Sequence, residues 1–172
     1  MEKFEVLFAS KPFGPVRLIG LEKRAILKAS SAKELWDRVL YDGIVDTLQE
    51  LSGRVSPDGD LAGWMGEYDE KEKTFSYIVG VFTQPGSPAP EGFTYRDLPA
   101  CLMGIGRIRG RTGHLEMGAH NKTVKVMRAH NMEPDYSQGY SMEYYPYKEY
   151  GSIEDNGENI HEFQYYLPCK PK

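Results

Sequence analysis

The pattern of apolar and polar residues predicts several strands and one helix in the first half of the chain. Strict alternation marks the strands, and apolar residues at a spacing of three to four mark the helix. The predicted strands cover 4–9, 16–27, 62–68 and 74–82. The last two form a hairpin about the charged turn at 69–73. Between these strands, apolar residues recur at helical spacing after a capping box formed by Ser31 and Glu34. This pattern predicts a helix from about 31 to 51, which Gly53 ends.

The second half repeats this order of elements after a proline-rich linker at 84–92. An extended stretch at 93–108 contains Pro99, which predicts a bend or a sheet edge there. A weaker apolar stripe predicts a helix from about 113 to 131, although Gly118 within it disfavours helix. Two further strands are predicted at 140–145 and 160–167.

A short aromatic phrase with a glutamate occurs once in each half, as Gly63-Trp64-Met65-Gly66-Glu67-Tyr68 and Gly139-Tyr140-Ser141-Met142-Glu143-Tyr144. In both copies the carboxylate lies among rings, an arrangement that suits a cation. Each half also has the order strand, helix, strand, strand. We therefore expect an α+β fold with an antiparallel sheet, two main helices and pseudo-twofold symmetry. The expected organisation is a single domain over 1–172, with halves at about 1–83 and about 92–172.

Composition and charge limit the possible partners. The 172 residues carry a net charge of -4, and their cations are scattered, which argues against direct binding of nucleic acid. Two cysteines are too few for a disulfide framework, and the chain shows neither a secretion signal nor a run of about 18 apolar residues. We expect a cytoplasmic protein without membrane contact, as a monomer or homodimer.

The sequence offers no site for a metal or cofactor. The four histidines, His114, His120, His130 and His161, lack metal-ligand spacing. The glycine-rich run 104–110 lacks the Gly-Lys-Ser/Thr of a phosphate loop. We interpret that run as strand distortion and a loop. Arg107, Arg109 and Arg111 could contact an anion, but a solvated edge is the interpretation that we favour.

Three segments carry a resemblance to a known family. They are Pro90-Glu91-Gly92-Phe93 running to Leu98-Pro99-Ala100, Gly139 to Tyr145, and Glu162-Phe163-Gln164-Tyr165-Tyr166-Leu167-Pro168-Cys169-Lys170. In their order and spacing the chain resembles the GyrI-like small-molecule-binding domain, the effector module of regulators such as BmrR and Rob. The resemblance implies a duplicated fold with a ligand cleft around the pseudo-twofold axis.

The resemblance assigns the second copy of the phrase to the ligand. Glu143 matches the buried glutamate that meets cationic aromatic ligands in drug-sensing members, with Tyr145 as its same-face neighbour. Tyr165 or Tyr166 matches the ring from the final strand, and the sequence does not choose between them. The alternative for Glu143 is a solvent-facing strand residue paired with lysine.

The remaining candidates are four aromatic residues and Glu67. Tyr140 shares a strand face with Met142 and Tyr144, opposite the face of Glu143. From the first copy, Trp64 and Tyr68 are expected in the cleft, with core packing as the alternative. Trp36 forms either the core or a wall of the cleft, and Glu67 fits a solvated role as well as a pocket role.

Two functions of different classes follow. The first is a stand-alone binding protein that sequesters or senses hydrophobic, cationic aromatic compounds; we expect no DNA-binding portion before the module. The alternative is a hydrolase of cyclopropanoid DNA-alkylating compounds, as some stand-alone GyrI-like proteins are. There Glu143 or Glu162 would activate water, and a tyrosine such as Tyr166 would stabilise the departing charge.

Overall fold

The computed structural model describes residues 5–26, 31–111, 115–147, 153–155 and 158–172. The chain forms two compact units. Unit I is Gly14–Ala100, and unit II combines Met1–Phe13 with Cys101–Lys172. No helix in the described ranges is long and apolar enough to cross a membrane.

Strands dominate both units. The strands are β1 (Glu5–Phe13), β2 (Val16–Ile26), β3 (Leu61–Asp69), β4 (Thr74–Thr83), β5 (Thr94–Leu98), β6 (Cys101–Gly110), β7 (Met132–Pro134), β8 (Tyr140–Tyr145), β9 (Ile153–Asp155) and β10 (Glu158–Pro171). The helices are α1 (Ser31–Tyr41), α2 (Ile44–Gln49), α3 (Ala119–Ala129) and a 3₁₀ turn at Tyr136–Gln138. Within each unit, the strands paired in the described residues are antiparallel, and the fold is the expected α+β class.

Unit I is a four-stranded sheet in the order β5-β2-β4-β3. Its helices cover one face of the sheet, where Leu35 and Val39 of α1 and Leu48 of α2 pack against Leu21 and Val79. The predicted helix at 31–51 is broken into α1 and α2. Gly43 lies between them at φ 76°, a left-handed conformation that glycine adopts without strain.

Unit II has the strand order β1-β6-β10-β8, with β7 and β9 also paired to β10. The pairing of β1 with β6 places the first strand in unit II, although the chain order suggested the first half. Pro99 falls between β5 and β6, so the stretch predicted as extended at 93–108 contains two strands separated by the proline. The pseudo-twofold repeat stays a prediction.

Helix α3 packs on one face of the unit II sheet, over the glycines of β6. A Cβ at Gly106 would overlap Thr123, and a Cβ at Gly104 would lie 2.6 Å from Met127 Cε. The glycine-rich run 104–110 is therefore regular strand that lets a helix approach, and the expected distortion and loop were wrong. The helix is also shorter than predicted, since Gly118 at φ 65° precedes its first turn; His114 lies outside the described residues.

Candidate functional site

The pairing of β8 with β10 sorts the candidate residues onto two faces of the unit II sheet. Tyr165 lies opposite Glu143, and Tyr166 lies opposite Met142. Because side chains alternate along a strand, directly paired residues share a face. The helix face, on the side of α3, carries Ser141, Glu143, Tyr145, Phe163 and Tyr165. The tyrosine face, on the other side, carries Tyr140, Met142, Tyr144, Glu162, Gln164 and Tyr166.

A chain of polar contacts crosses the helix face. The Tyr165 hydroxyl donates to Ser141 Oγ at 2.8 Å and lies 3.3 Å from His120 Nδ1. His120 Nε2 lies 3.4 Å from the Tyr136 hydroxyl, and the His120 ring stacks on Tyr136 at 6.3 Å. If His120 is neutral, one assignment of donors and acceptors satisfies all of these contacts. Tyr136 then donates to Nε2, and the Nδ1 proton goes to Tyr165.

Burial shifts the ionisation of this chain. Desolvation lowers the pKa of His120 and raises the pKa of Tyr165 to about 12, with the nearby Glu143 charge adding to the second effect. Both groups therefore stay neutral around pH 7.

Glu143 is half-buried on the helix face. The Tyr145 hydroxyl donates to its Oε2 across 3.4 Å, and the Tyr145 ring meets Phe163 edge-on at 5.2 Å. The structure thus brings Glu143, Tyr145 and Tyr165 onto one face, and this is the face on which α3 packs.

The tyrosine face carries an aromatic stack. The Tyr144 and Tyr166 rings lie 4.8 Å apart at 22°, and Phe13 meets Tyr166 edge-on at 6.2 Å. The Lys11 ammonium lies 5.8 Å from the centre of the Tyr166 ring, within range of a cation–π contact. In the same row, the Tyr140 hydroxyl lies 3.8 Å from Cys101 Sγ, and burial raises the pKa of Tyr140.

Glu162 lies on the tyrosine face, and its side chain is 0% exposed. Arg107 binds it bidentately, with Nε to Oε1 at 2.8 Å and Nη2 to Oε2 at 3.0 Å. Arg109 Nε donates to Oε2 at 2.6 Å, and Gln164 Nε2 donates to Oε1 at 2.6 Å. Each carboxylate oxygen therefore accepts two hydrogen bonds. The expectation that these arginines line a solvated edge was wrong, because both bind this carboxylate.

This arrangement bears on the roles considered for Glu162. A general base needs a free lone pair directed at water, and these bonds would have to break to provide one. Gln164 also accepts from the Tyr166 hydroxyl at 3.4 Å, which links the carboxylate to the ring stack.

In unit I, Trp64 lies on the sheet face opposite the helices. A Cβ at Gly66 would overlap the Trp64 ring, and the Arg96 guanidinium lies 5.8 Å from the ring centre. Trp64 is 4% exposed. Within unit I, the Trp64 ring thus packs over Gly66, which has no side chain to obstruct it, and lies near the Arg96 guanidinium.

Glu67 differs in conformation from Glu143, its counterpart in the repeated phrase. Glu67 has φ 54°, and the register of β3 with β4 shifts between Gly66 and Asp69. Its carboxylate accepts from Arg96 at 2.8 and 2.9 Å and from Ser76 at 2.9 Å. Arg96 lowers the pKa of Glu67. The bulge thus places this carboxylate in a partly exposed ion pair.

The two other unit I candidates lie in different surroundings. Tyr68 lies within the bulge and is 50% exposed. Trp36 packs against the hydrophobic core of unit I and donates from Nε1 to the Tyr77 hydroxyl at 2.9 Å. Core packing, one of the two roles considered for Trp36, is the one these contacts support.

Sequence patterns missed the partners that organise the tyrosine face. Arg107, Arg109, Gln164 and Tyr144 were not among the candidates. Strand alternation already placed Gln164 with Glu162 and Tyr166, but the register that brings β6 beside them is a long-range property. In the described ranges, no group of three or more His, Cys, Asp or Glu side chains is arranged to hold a metal ion.

Three solved structures share the fold of this chain. A bacterial transcription regulator-like protein from Staphylococcus aureus MU50 is 12% identical with a TM-score of 0.58, over 99% of this chain and 98% of that one. SAV2435 bound to tetraphenylphosphonium is 14% identical with a TM-score of 0.61, over 99% and 94%. The EcmrR C-terminal domain is 13% identical with a TM-score of 0.55, over 97% and 99%.

These matches confirm the resemblance to the GyrI-like effector-binding domain at the level of the fold. They extend over nearly the whole of both chains. No protein-family model matches the sequence, and no curated protein matches it. Identities of 12 to 14% show a shared fold and no more.

Proposed function

We propose that this chain binds small hydrophobic, aromatic molecules and that the tyrosine face of unit II contacts them. The observation that carries the proposal is the Tyr144–Tyr166 stack at 4.8 Å, with Tyr140 in the same row, on the face opposite α3. Ring side chains bury a large apolar area with few rotatable bonds, which suits them to recognise flat, apolar compounds.

The polar groups beneath the rings support the same role. Glu162 and Gln164 are buried and hydrogen-bonded to each other, and the Tyr166 hydroxyl bonds to Gln164. A ligand face needs rigid walls, and hydrogen-bonded supports reduce the entropy lost when the rings become ordered around a ligand. These supports hold Tyr166 and give the face its fixed geometry.

The matched structures support small-molecule binding as a class. SAV2435 was solved with tetraphenylphosphonium, a bulky aromatic ion, and EcmrR contributes a C-terminal domain of the same fold. We propose that the protein either sequesters such a compound or senses it and signals to a partner protein.

The hydrolase alternative finds no support in the tyrosine face. Glu162, which lies there, accepts hydrogen bonds from two arginines and a glutamine. We therefore propose binding rather than hydrolysis at this face; Glu143, the other candidate base, lies on the helix face.

Adjacent tyrosines provide the test. Tyr166 and Tyr165 are both buried on β10, but they point to opposite faces. Titration calorimetry with tetraphenylphosphonium and with tetraphenylborate tests binding to wild type, Tyr166→Leu and Tyr165→Leu. We expect Tyr166→Leu to weaken binding about tenfold or more, as the loss of an aromatic hot spot does, and Tyr165→Leu to change it less than about threefold.

Two outcomes would overturn the proposal. One is the absence of measurable binding of either ion to folded wild type. The other is a loss of affinity that follows Tyr165 and spares Tyr166. Circular dichroism of each variant shows that the protein is folded before binding is compared.

A further inference from the structure

Strand β1 forms an open edge of the unit II sheet. It ends the strand order of that unit, and in the described part of the chain it pairs with β6 alone. All nine of its residues are exposed or half-buried. An open edge presents a row of backbone N–H and C=O groups with which another strand can pair.

A hydrogen bond of β10 establishes which backbone groups of β1 point outward. The Asp135 N–H donates to the Pro168 carbonyl at 2.8 Å, so the backbone groups of Pro168 point away from β6. Met103, which lies opposite Pro168 in β6, therefore directs its own groups at Lys11 of β1. Because this direction alternates along a strand, the residues of β1 whose groups point outward are Val6, Phe8, Ser10 and Pro12.

Strand β5, an edge strand of unit I, is protected in ways that β1 is not. It has five residues, and two of them, Arg96 and Asp97, are charged and held in ion pairs. Short length and charge both discourage pairing with another strand. In β1, by contrast, Glu5 and Lys11 flank the uncharged stretch 6–10. This stretch is the part of the edge that suits a further strand.

We infer that β1 pairs antiparallel with β1 of a second copy, so that two chains form a dimer with its twofold axis at Phe8. This register places Val6 opposite Ser10 of the second copy, so the outward backbone groups meet. It also places Glu5 opposite Lys11 on both sides of the axis, and opposite charges across strands attract. A shift of two residues in either direction separates both charge pairs.

The contact is isologous, because the same strand contributes from both chains, and such a contact closes after two copies. Neither the dimer nor its test involves a ligand. The inference therefore stands or falls independently of the proposed function.

Sedimentation equilibrium of the full chain from about 10 μM to about 1 mM tests the dimer. We expect the mass to rise from that of one chain toward that of two. Lys11→Glu and Glu5→Lys each place like charges opposite one another, and each should weaken the dimer about tenfold. The double variant exchanges the two charges and should dimerise within about threefold of wild type.

A matched control separates the local charge pair from net charge. Lys125→Glu makes the same change of charge as Lys11→Glu, but on the exposed side of α3, opposite the buried Thr123 and Met127. We expect it to leave the dimer unchanged. Circular dichroism of every variant shows that the chain is folded before masses are compared.

Hydrogen exchange tests the register amide by amide. The amides of Val6, Phe8 and Ser10 should gain protection as the concentration of the chain rises. Those of Leu7 and Ala9 point at β6 and should be protected in the monomer already. Ser10→Pro removes one outward donor from each copy and should weaken the dimer about tenfold.

Each contrary result overturns a stated part of the inference. A wild-type chain that stays monomeric at about 1 mM overturns the dimer. A dimer that Lys11→Glu, Glu5→Lys and Ser10→Pro all leave intact overturns its assignment to β1. Single variants whose loss the double variant fails to restore overturn the register, and assemblies larger than two copies overturn the closed twofold contact.

Discussion

Tyr165 and Tyr166 are neighbours on β10 that face opposite sides of the unit II sheet. Tyr165 donates to Ser141 and lies beside His120 under α3, whereas Tyr166 stacks on Tyr144. The two rings are equally buried, so burial does not separate them. Their partners distinguish them: Tyr165 belongs to a chain of polar contacts beside α3, whereas Tyr166 belongs to a row of aromatic side chains.

The close approach of α3 to β6 predicts a volume effect at Gly106. A methyl group there would overlap Thr123, so Gly106→Ala should lower the free energy of unfolding by about 1 to 3 kcal/mol. Thr123→Ala in the same molecule should restore much of that loss. Its hydroxyl is buried and makes no hydrogen bond within the described residues, so removing it costs little. Urea denaturation of the single and double variants measures both effects, and a destabilisation that Thr123→Ala fails to relieve would contradict the contact.

The two glutamates of the unit II sheet should differ in their effect on stability. Glu162→Gln leaves Arg107 and Arg109 without their buried counter-charge, and we expect a loss of about 2 to 4 kcal/mol. Glu143→Gln removes a half-buried charge and should cost less than about 1 kcal/mol. Chemical denaturation at neutral pH compares the two. Equal losses would mean that the arginine pairs do not hold Glu162 as described.

Trp36 should behave as a core residue. Trp36→Phe removes the donor to the Tyr77 hydroxyl and should cost about 1 kcal/mol, with no change in tetraphenylborate affinity. Tyr77→Phe removes the other half of the same bond, so the double variant should cost less than the two single variants together. Weaker ligand binding by folded Trp36→Phe would instead favour a role in the ligand site.

The His120 contacts predict a pH effect on stability. Burial lowers the pKa of His120 in the folded state, so the unfolded chain binds the proton more readily. The free energy of unfolding should therefore fall as the pH drops below about 6.5, the value for an unperturbed histidine. His120→Gln should remove that part of the pH dependence. An NMR titration that places His120 above the unperturbed value would contradict the burial argument.

Local patterns predicted much of the fold and little of the site's organisation. Alternation placed β8 and β10 and separated the Glu143 row from the Tyr144 row, because that information lies within one strand. Which rows meet depends on register: Tyr165 pairs with Glu143, and Arg107 pairs with Gln164, through contacts distant in sequence. The break at Gly43 and the bulge at Glu67 were also missed, since both depend on local left-handed conformations inside otherwise regular patterns.

Nuclear magnetic resonance identifies the tyrosine rings that a bound ligand touches. Intermolecular nuclear Overhauser effects between the phenyl protons of tetraphenylborate and selectively labelled tyrosine rings report contacts within about 5 Å, the range of ring–ring packing. We predict effects to Tyr144 and Tyr166 and none to Tyr165 or Tyr145. Contacts to Tyr165 and Tyr145 that leave Tyr144 and Tyr166 silent would contradict the account and place the ligand on the helix face beside Glu143.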